Sequence, residues 1–104
     1  MKEYLKKLYT NDKNKYFKLL SSDLKHNHKR FIITVNPETL MMSESDNELK
    51  NILDSNYSFV PDGIAVVKAA RKIGIKVTER ITGIDISEYL LKLANENKYS
   101  IYLF

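Results

Sequence analysis

The chain has no cysteine, which excludes disulfides, thiolate catalysis and cysteine-ligated zinc together. That fits a reducing compartment. No apolar run approaches the roughly 18–20 residues that a membrane span requires. Lys2, Lys6 and Lys7 are followed by no apolar core, so no secretory signal is expected and a cytoplasmic location is. Glycine and proline are scarce, with only Gly63, Gly74, Gly83, Pro37 and Pro61. Each is therefore informative about where an element stops or starts. There is no Gly-x-Gly-x-x-Gly fingerprint, no repeat and no aromatic-and-glycine RNA-binding signature.

What is present describes one small domain. The chain has 104 residues, of which 43% are hydrophobic, close to the globular average of about 45–50%. The formal charge is +4. Its cations cluster early, at Lys2, Lys6, Lys7, Lys13, Lys15, Lys18, Lys25, Lys29 and Arg30. A solvated helical face is the expectation, with no nucleic-acid partner. A basic nucleic-acid module is a rival that a salt-dependent shift with arbitrary DNA would favour. His26 and His28 have no carboxylate or cysteine at ligand spacing, so no metal site is expected.

Hydrophobic spacing organises the chain. Residues 2–9 read as a short helix and 13–26 as a second, capped at Asn11-Asp12, with Tyr16, Phe17, Leu19, Leu20 and Leu24 on its apolar face. Residues 30–35 are nearly continuously apolar and β-branched, as in a strand buried on both faces of a parallel sheet. Pro37 opens a helix, Met41 and Met42 read as core filler, and Asp46 caps a further helix with Leu49, Ile52 and Leu53 inward. Residues 57–60 form a second strand, and a helix over 63–73 presents Ile64, Val67, Ala70, Arg71 and Ile73 before stopping at Gly74. Residues 76–81 read as a loop or extended piece. Asp85 or Ser87 caps a last helix with Tyr89, Leu90, Leu93 and Ala94 buried, and 99–104 form a third strand. This order predicts an α/β fold, Rossmann-like, with a mainly parallel sheet, covering helices and an apparently truncated end. It divides into a basic helical segment, 1–29, and a motif-bearing part, 30–104.

In open α/β sheets ligands sit beyond the carboxyl ends of the strands. Thr34-Val-Asn-Pro-Glu38 and Pro61-Asp-Gly63 both fall there, each just before a helix. Asp62 is either a helix N-cap or a general base facing a pocket. Thr34 is equally a plain strand residue, Asn36 a turn residue, Arg80 a surface cation, and Glu38 a carboxylate suited to the dipole of a helix start.

Three segments carry a resemblance. Thr34-Val-Asn-Pro-Glu-Thr-Leu-Met41, Pro61-Asp-Gly-Ile-Ala-Val-Val67 and Glu79-Arg-Ile-Thr-Gly-Ile-Asp85 are similar to motifs of the WecG/TagA/CpsF glycosyltransferases, from about Phe31 onward. The resemblance implies inverting, single-displacement transfer of an N-acetylmannosamine-type sugar. The donor would be a UDP-sugar and the acceptor a sugar on undecaprenyl diphosphate, in wall teichoic acid or capsule assembly. No cofactor and no essential metal are implied. The intact enzyme would touch the inner face of the plasma membrane peripherally. Asp62 matches the family's proposed general base, Thr34 and Asn36 line the sugar and acceptor pocket, and Arg80 matches an arginine near the donor diphosphate. Asp85 matches the acid of a Gly-x-Asp segment and is as well explained by a helix cap.

Two departures stand out. Family members open on a short strand where this chain has a basic, helical-looking segment, and they run well past this length into a glycine-rich turn. The expectation is therefore an N-terminal portion with little or no transferase activity by itself. The alternative is a non-catalytic truncated module that acts by self-association, as a homo-oligomer through its exposed last strand, or by binding another polypeptide.

Overall fold

The structure is a computed structural model that describes residues 2–54 and 58–103. Its elements are α1 (Lys2–Leu5), α2 (Lys13–Lys25), β1 (Ile32–Val35), α3 (Pro37–Met42), α4 (Asn47–Asp54), β2 (Ser58–Pro61), α5 (Ile64–Lys72) and α6 (Gly83–Asn97). The α/β class is as expected, and β1 and β2 are parallel, with Ile32 opposite Ser58 and Val35 opposite Pro61. Tyr57, which the sequence places in the second strand, and Phe104 lie outside the described residues.

β2 is used on both edges. Along one edge the Ser58 and Asp62 N–H groups donate to the carbonyls of Phe31 and Val35, at 3.0 and 2.9 Å. Along the other, Phe59 C=O accepts from Tyr9 N–H at 2.9 Å, and Pro61 C=O accepts from Ile81 N–H at 2.8 Å. Leu8 forms a parallel bridge with Phe59. The expected helix over 2–9 therefore ends at Leu5, because Leu8 and Tyr9 are drawn into extended pairing with β2. Where family members open on a short strand and this chain was expected to be helical, the chain makes a single parallel bridge at Leu8 after a one-turn helix.

Side-chain alternation along the two strands feeds two cores. Ile33, Val35 and Phe59 pack on one side with Leu8, Leu40, Leu53, Val66, Val67, Ala70 and Val77. Ile32 and Val60 pack on the other with Tyr16, Leu20, Ile81 and Ile86. Helices thus cover both faces of the strands, the arrangement that their near-continuous apolar sequence requires. The second core is closed by the stacked rings of Phe17 and Tyr89, 4.3 Å apart and 7° from parallel, which join α2 to α6.

The helix ends follow local chemistry. The Asp12 side chain accepts from Lys15 N–H, as expected, and the Asp46 carboxylate accepts from Leu49 N–H. α6 differs from expectation: its N-cap is Thr82, not Asp85 or Ser87. Asp85 sits three residues on, as the second half of a capping box. After α2 the chain turns at Asn27, with φ of 55°, and is held there by His28 N–H donating to Asp23 C=O. Asp23 is buried in this turn, and its carboxylate pairs with Arg30. Arg30, counted by sequence among the solvated cations, is thus tied down. Hydrogen bonding to Asp23, against the opposing effect of burial, raises its pKa further.

Other expectations fail for identifiable reasons. Residues 99–103 form no strand. Apolar character alone does not make one, because a strand needs a ladder partner. Instead the chain leaves α6 through Lys98, at φ 57°, and runs on without regular structure, with exposed Tyr99, Ile101 and Leu103 lining a cavity beside the helix. Met41 and Met42 are exposed rather than core, since six-residue α3 turns only Leu40 fully inward. α5 buries Val66, Val67 and Ala70 and leaves Ile64 outside. α4 buries Leu53 and leaves Ile52 exposed. In α2, Leu19 and Leu24 are more than a third exposed, while Tyr16 and Leu20 are buried.

Removing Arg30 leaves a buried carboxylate unpaired. Arg30→Ala should lower the stability read from urea unfolding by about 1–3 kcal/mol. Adding Asp23→Ala to it should cost less than the two single losses summed. Thr82→Ala should cost about 1 kcal/mol through the α6 cap. Burial pushes the Asp85 carboxyl up, but hydrogen bonding to Thr82 and the Lys13 ammonium at 3.7 Å outweigh it, so its pKa lies below the ordinary value. Its stabilising contribution is present above about pH 4 and is lost as pH falls through the lower folded value. Urea midpoints measured down a pH series should therefore fall less steeply for Asp85→Asn than for the parent chain.

Candidate functional site

The site is assembled at the carboxyl ends of β1 and β2. Asn36 and Asp62 each follow the last residue of a strand, and the two strands are locked there by Asp62 N–H donating to Val35 C=O. By alternation Thr34 and Asp62 share the side of Ile32 and Val60, toward α6. A Cβ placed on Gly83, the first residue of α6, would lie 3.7 Å from the Thr34 methyl, so strand and helix meet in ordinary contact. Pairing of Ile81 with Pro61 delivers Thr82 and Gly83 to this rim.

Asp62 is no helix cap. The N-cap of α5 is Gly63, which makes no side-chain capping bond. Its backbone, at φ 102° and ψ 152°, lies in a region that glycine alone adopts readily. That conformation turns the chain sharply between strand and helix. The half-buried Asp62 side chain lines a cleft of about 550 Å³, facing Thr82, Gly83, Ile84, Ser87, Glu88 and Leu91. The bland alternative for Asp62 is thereby set aside.

The other residues singled out in the sequence take distinct places. The Asn36 side-chain oxygen accepts from the Thr39 N–H at 2.9 Å and from its hydroxyl at 3.1 Å, capping α3. Its amide group keeps two donors for another partner. Thr34 is half-buried beside Gly83. Arg80 is exposed, just before buried Ile81, and does not line the cleft. Glu38 is exposed in the first turn of α3, and Asp85 is committed to the capping box and to Lys13. Of the six residues singled out, Asp62 alone lines the cleft; Thr34 and Asn36 stand near it at the strand ends without lining it, and Arg80, Glu38 and Asp85 lie outside it.

Three polar residues of the cleft escaped sequence reasoning: Thr82, Ser87 and Glu88. Ile84, Ser87, Glu88 and Leu91 do share one side of α6 by helical spacing, but nothing in the sequence marks that side as a cleft wall. Glu88 brings a second carboxylate to the cleft that holds Asp62. Among the described residues, no helix is long and apolar enough to cross a membrane.

No solved structure matches at a significant level. An N-acetylglucosaminyldiphosphoundecaprenol N-acetyl-beta-D-mannosaminyltransferase of Bacillus subtilis is 37% identical over 73 residues, covering 70% of this chain and 28% of that protein. The protein of that name from Bacillus spizizenii is 32% identical over 81 residues, with shares of 78% and 32%. The one from Staphylococcus aureus is 30% identical over 73 residues, with shares of 70% and 29%. The chain thus spans about a third or less of the length of these relatives. The family model for glycosyl transferases of the WecG/TagA/CpsF type matches residues 6–104, nearly the whole chain, and the chain belongs to that family.

Proposed function

We propose that this chain carries the acceptor-activating part of a glycosyltransferase that moves an N-acetylmannosamine-type sugar from UDP to a sugar on undecaprenyl diphosphate. In this reading β1 and β2 belong to a larger Rossmann-like sheet, and the enzyme works at the inner face of the plasma membrane. The single observation that supports it most is Asp62: a carboxylate at the strand rim, released from capping by Gly63 and lining a cleft.

The chemistry is a single displacement. The acceptor hydroxyl oxygen attacks the anomeric carbon while the Asp62 carboxylate takes its proton. The bond from the anomeric carbon to the UDP oxygen breaks, and UDP departs with the electron pair. Attack from the face opposite the leaving group inverts the configuration. Thr34 and the Asn36 amide line the sugar and acceptor side of the rim. Arg80 neutralises charge building on the departing diphosphate. It stands on the extended segment that leads into the cleft wall, on the same stretch as Thr82.

Transfer also requires donor and acceptor to be held in line, and loss of orientation is costly. The region that aligns with the relatives is about a third or less of their length. The chain alone should therefore bind an acceptor analogue but transfer little or no sugar. Incubation with UDP-N-acetylmannosamine and a lipid-diphosphate-GlcNAc analogue, with product read by mass spectrometry, measures this. Turnover abolished by Asp62→Asn would establish the base and overturn the expected inactivity. Turnover indifferent to Asp62→Asn would remove Asp62 from the chemistry, and failure to bind either substrate would overturn the transferase reading.

A further inference from the structure

The cleft at Asp62 does not end at its polar rim. Ile84, Ser87, Leu91 and Ala94 lie at positions i, i+3, i+7 and i+10 of α6, a single stripe about 15 Å long. Ile84 and Leu91 are 71% and 54% exposed. Beyond them lies a second cavity of about 420 Å³. Leu24 of α2 forms one wall, and Tyr99, Ile101 and Leu103 of the segment after α6 form the other. Ser87 and Leu91 line both spaces, so the polar cleft and the apolar slot share one continuous wall.

We propose that this stripe and slot seat the isoprenoid chain of the lipid-diphosphate acceptor, with its sugar end at Asp62. The proposal rests on the transferase reading given above and adds to it a place for the lipid. The geometry suits an amphiphile. Asp62, Thr82, Ser87 and Glu88 provide polar groups in the cleft, and Leu91 leads from it into an apolar slot. A nucleotide sugar has no apolar part long enough to use that slot. A second copy of the chain is the poorer occupant. The stripe is one residue wide and is bordered by the charged residues Glu88 and Lys92, whereas a stable dimer buries about 800 Å² on each partner. The turn that builds the outer wall is itself ordered: Tyr99 N–H donates to Ala94 C=O at 3.0 Å, just after left-handed Lys98.

Calorimetric titration of the whole chain with isopentenyl diphosphate, farnesyl diphosphate, farnesol and pyrophosphate tests the assignment. Farnesyl diphosphate should bind at least about tenfold tighter than isopentenyl diphosphate, because the longer chain buries more apolar surface. Leu91→Asp and Ile84→Asp, both at exposed positions that should leave the circular dichroism spectrum unchanged, should each erase most of that gain. Asp62→Asn should preserve it. A photoreactive farnesyl diphosphate should label peptides from residues 84–103. Equal affinity for the two diphosphates, or a gain that survives both aspartate variants, overturns the slot and leaves the transferase reading standing. Farnesol binding as tightly as farnesyl diphosphate, with pyrophosphate inert, keeps the slot but sinks the transferase reading. Sedimentation showing a dimer that Leu91→Asp dissociates would assign the stripe to a second copy and overturn the proposal.

Discussion

Everything in this structure is organised by the double pairing of β2. Four residues, Ser58 to Pro61, give one edge to β1 and the other to Tyr9 and Ile81. An isolated pair of four-residue strands is marginal in water. Here the ladder is stabilised because Val35, Phe59 and Val60 are wholly or almost wholly buried between two apolar layers. The pairing also fixes the site. It sets Asn36 beside Asp62, and through Ile81 it brings the start of α6 to the same rim. A carboxylate, a strand threonine and a helix N-terminus far apart in the chain therefore meet without any loop of their own design.

Local chemistry was legible in the sequence to the extent that it is local. The caps at Asp12 and Asp46, the stop at Gly74 and the β-branched strands all depend on neighbours a few residues away. The cap of α6 was misplaced by at least three residues, a local error, but the larger failures are nonlocal. The helical spacing of Tyr4, Leu5, Leu8 and Tyr9 is real, but Leu8 and Tyr9 are recruited by a strand some fifty residues on. The apolar segment at 99–103 has strand composition and no ladder partner among the described residues. The side of α5 that faces inward is set by where the sheet lies, which periodicity alone does not specify: Ile64 and Val66 are similar in character and opposite in burial.

The site was legible in part, and unevenly. Asp62 could be located because Pro61 and Gly63 bracket it, but spacing does not separate cap from base; Gly63 takes the N-cap position of α5 itself, which removes the cap reading of Asp62. Asn36 caps α3 through its side-chain oxygen, a role that its place before Pro37 allows. Asp85 resolved toward structure, since its carboxylate reaches back to the Thr82 N–H. Glu88 was passed over because a single glutamate on a helix carries no motif. Only the neighbouring strand, brought in by tertiary pairing, turns that side of α6 into a cleft wall.

Pro61 imposes a direction on any enlargement of this sheet. Residues 58 and 62 point their main-chain groups at β1, so those of residue 61 point the opposite way, where its carbonyl already accepts from Ile81. A proline there has no N–H to continue a ladder. That flank of β2 is already taken by the segments of Tyr9 and Ile81, whereas among the described residues no strand pairs with the outer flank of β1, which leaves that flank open to a further strand.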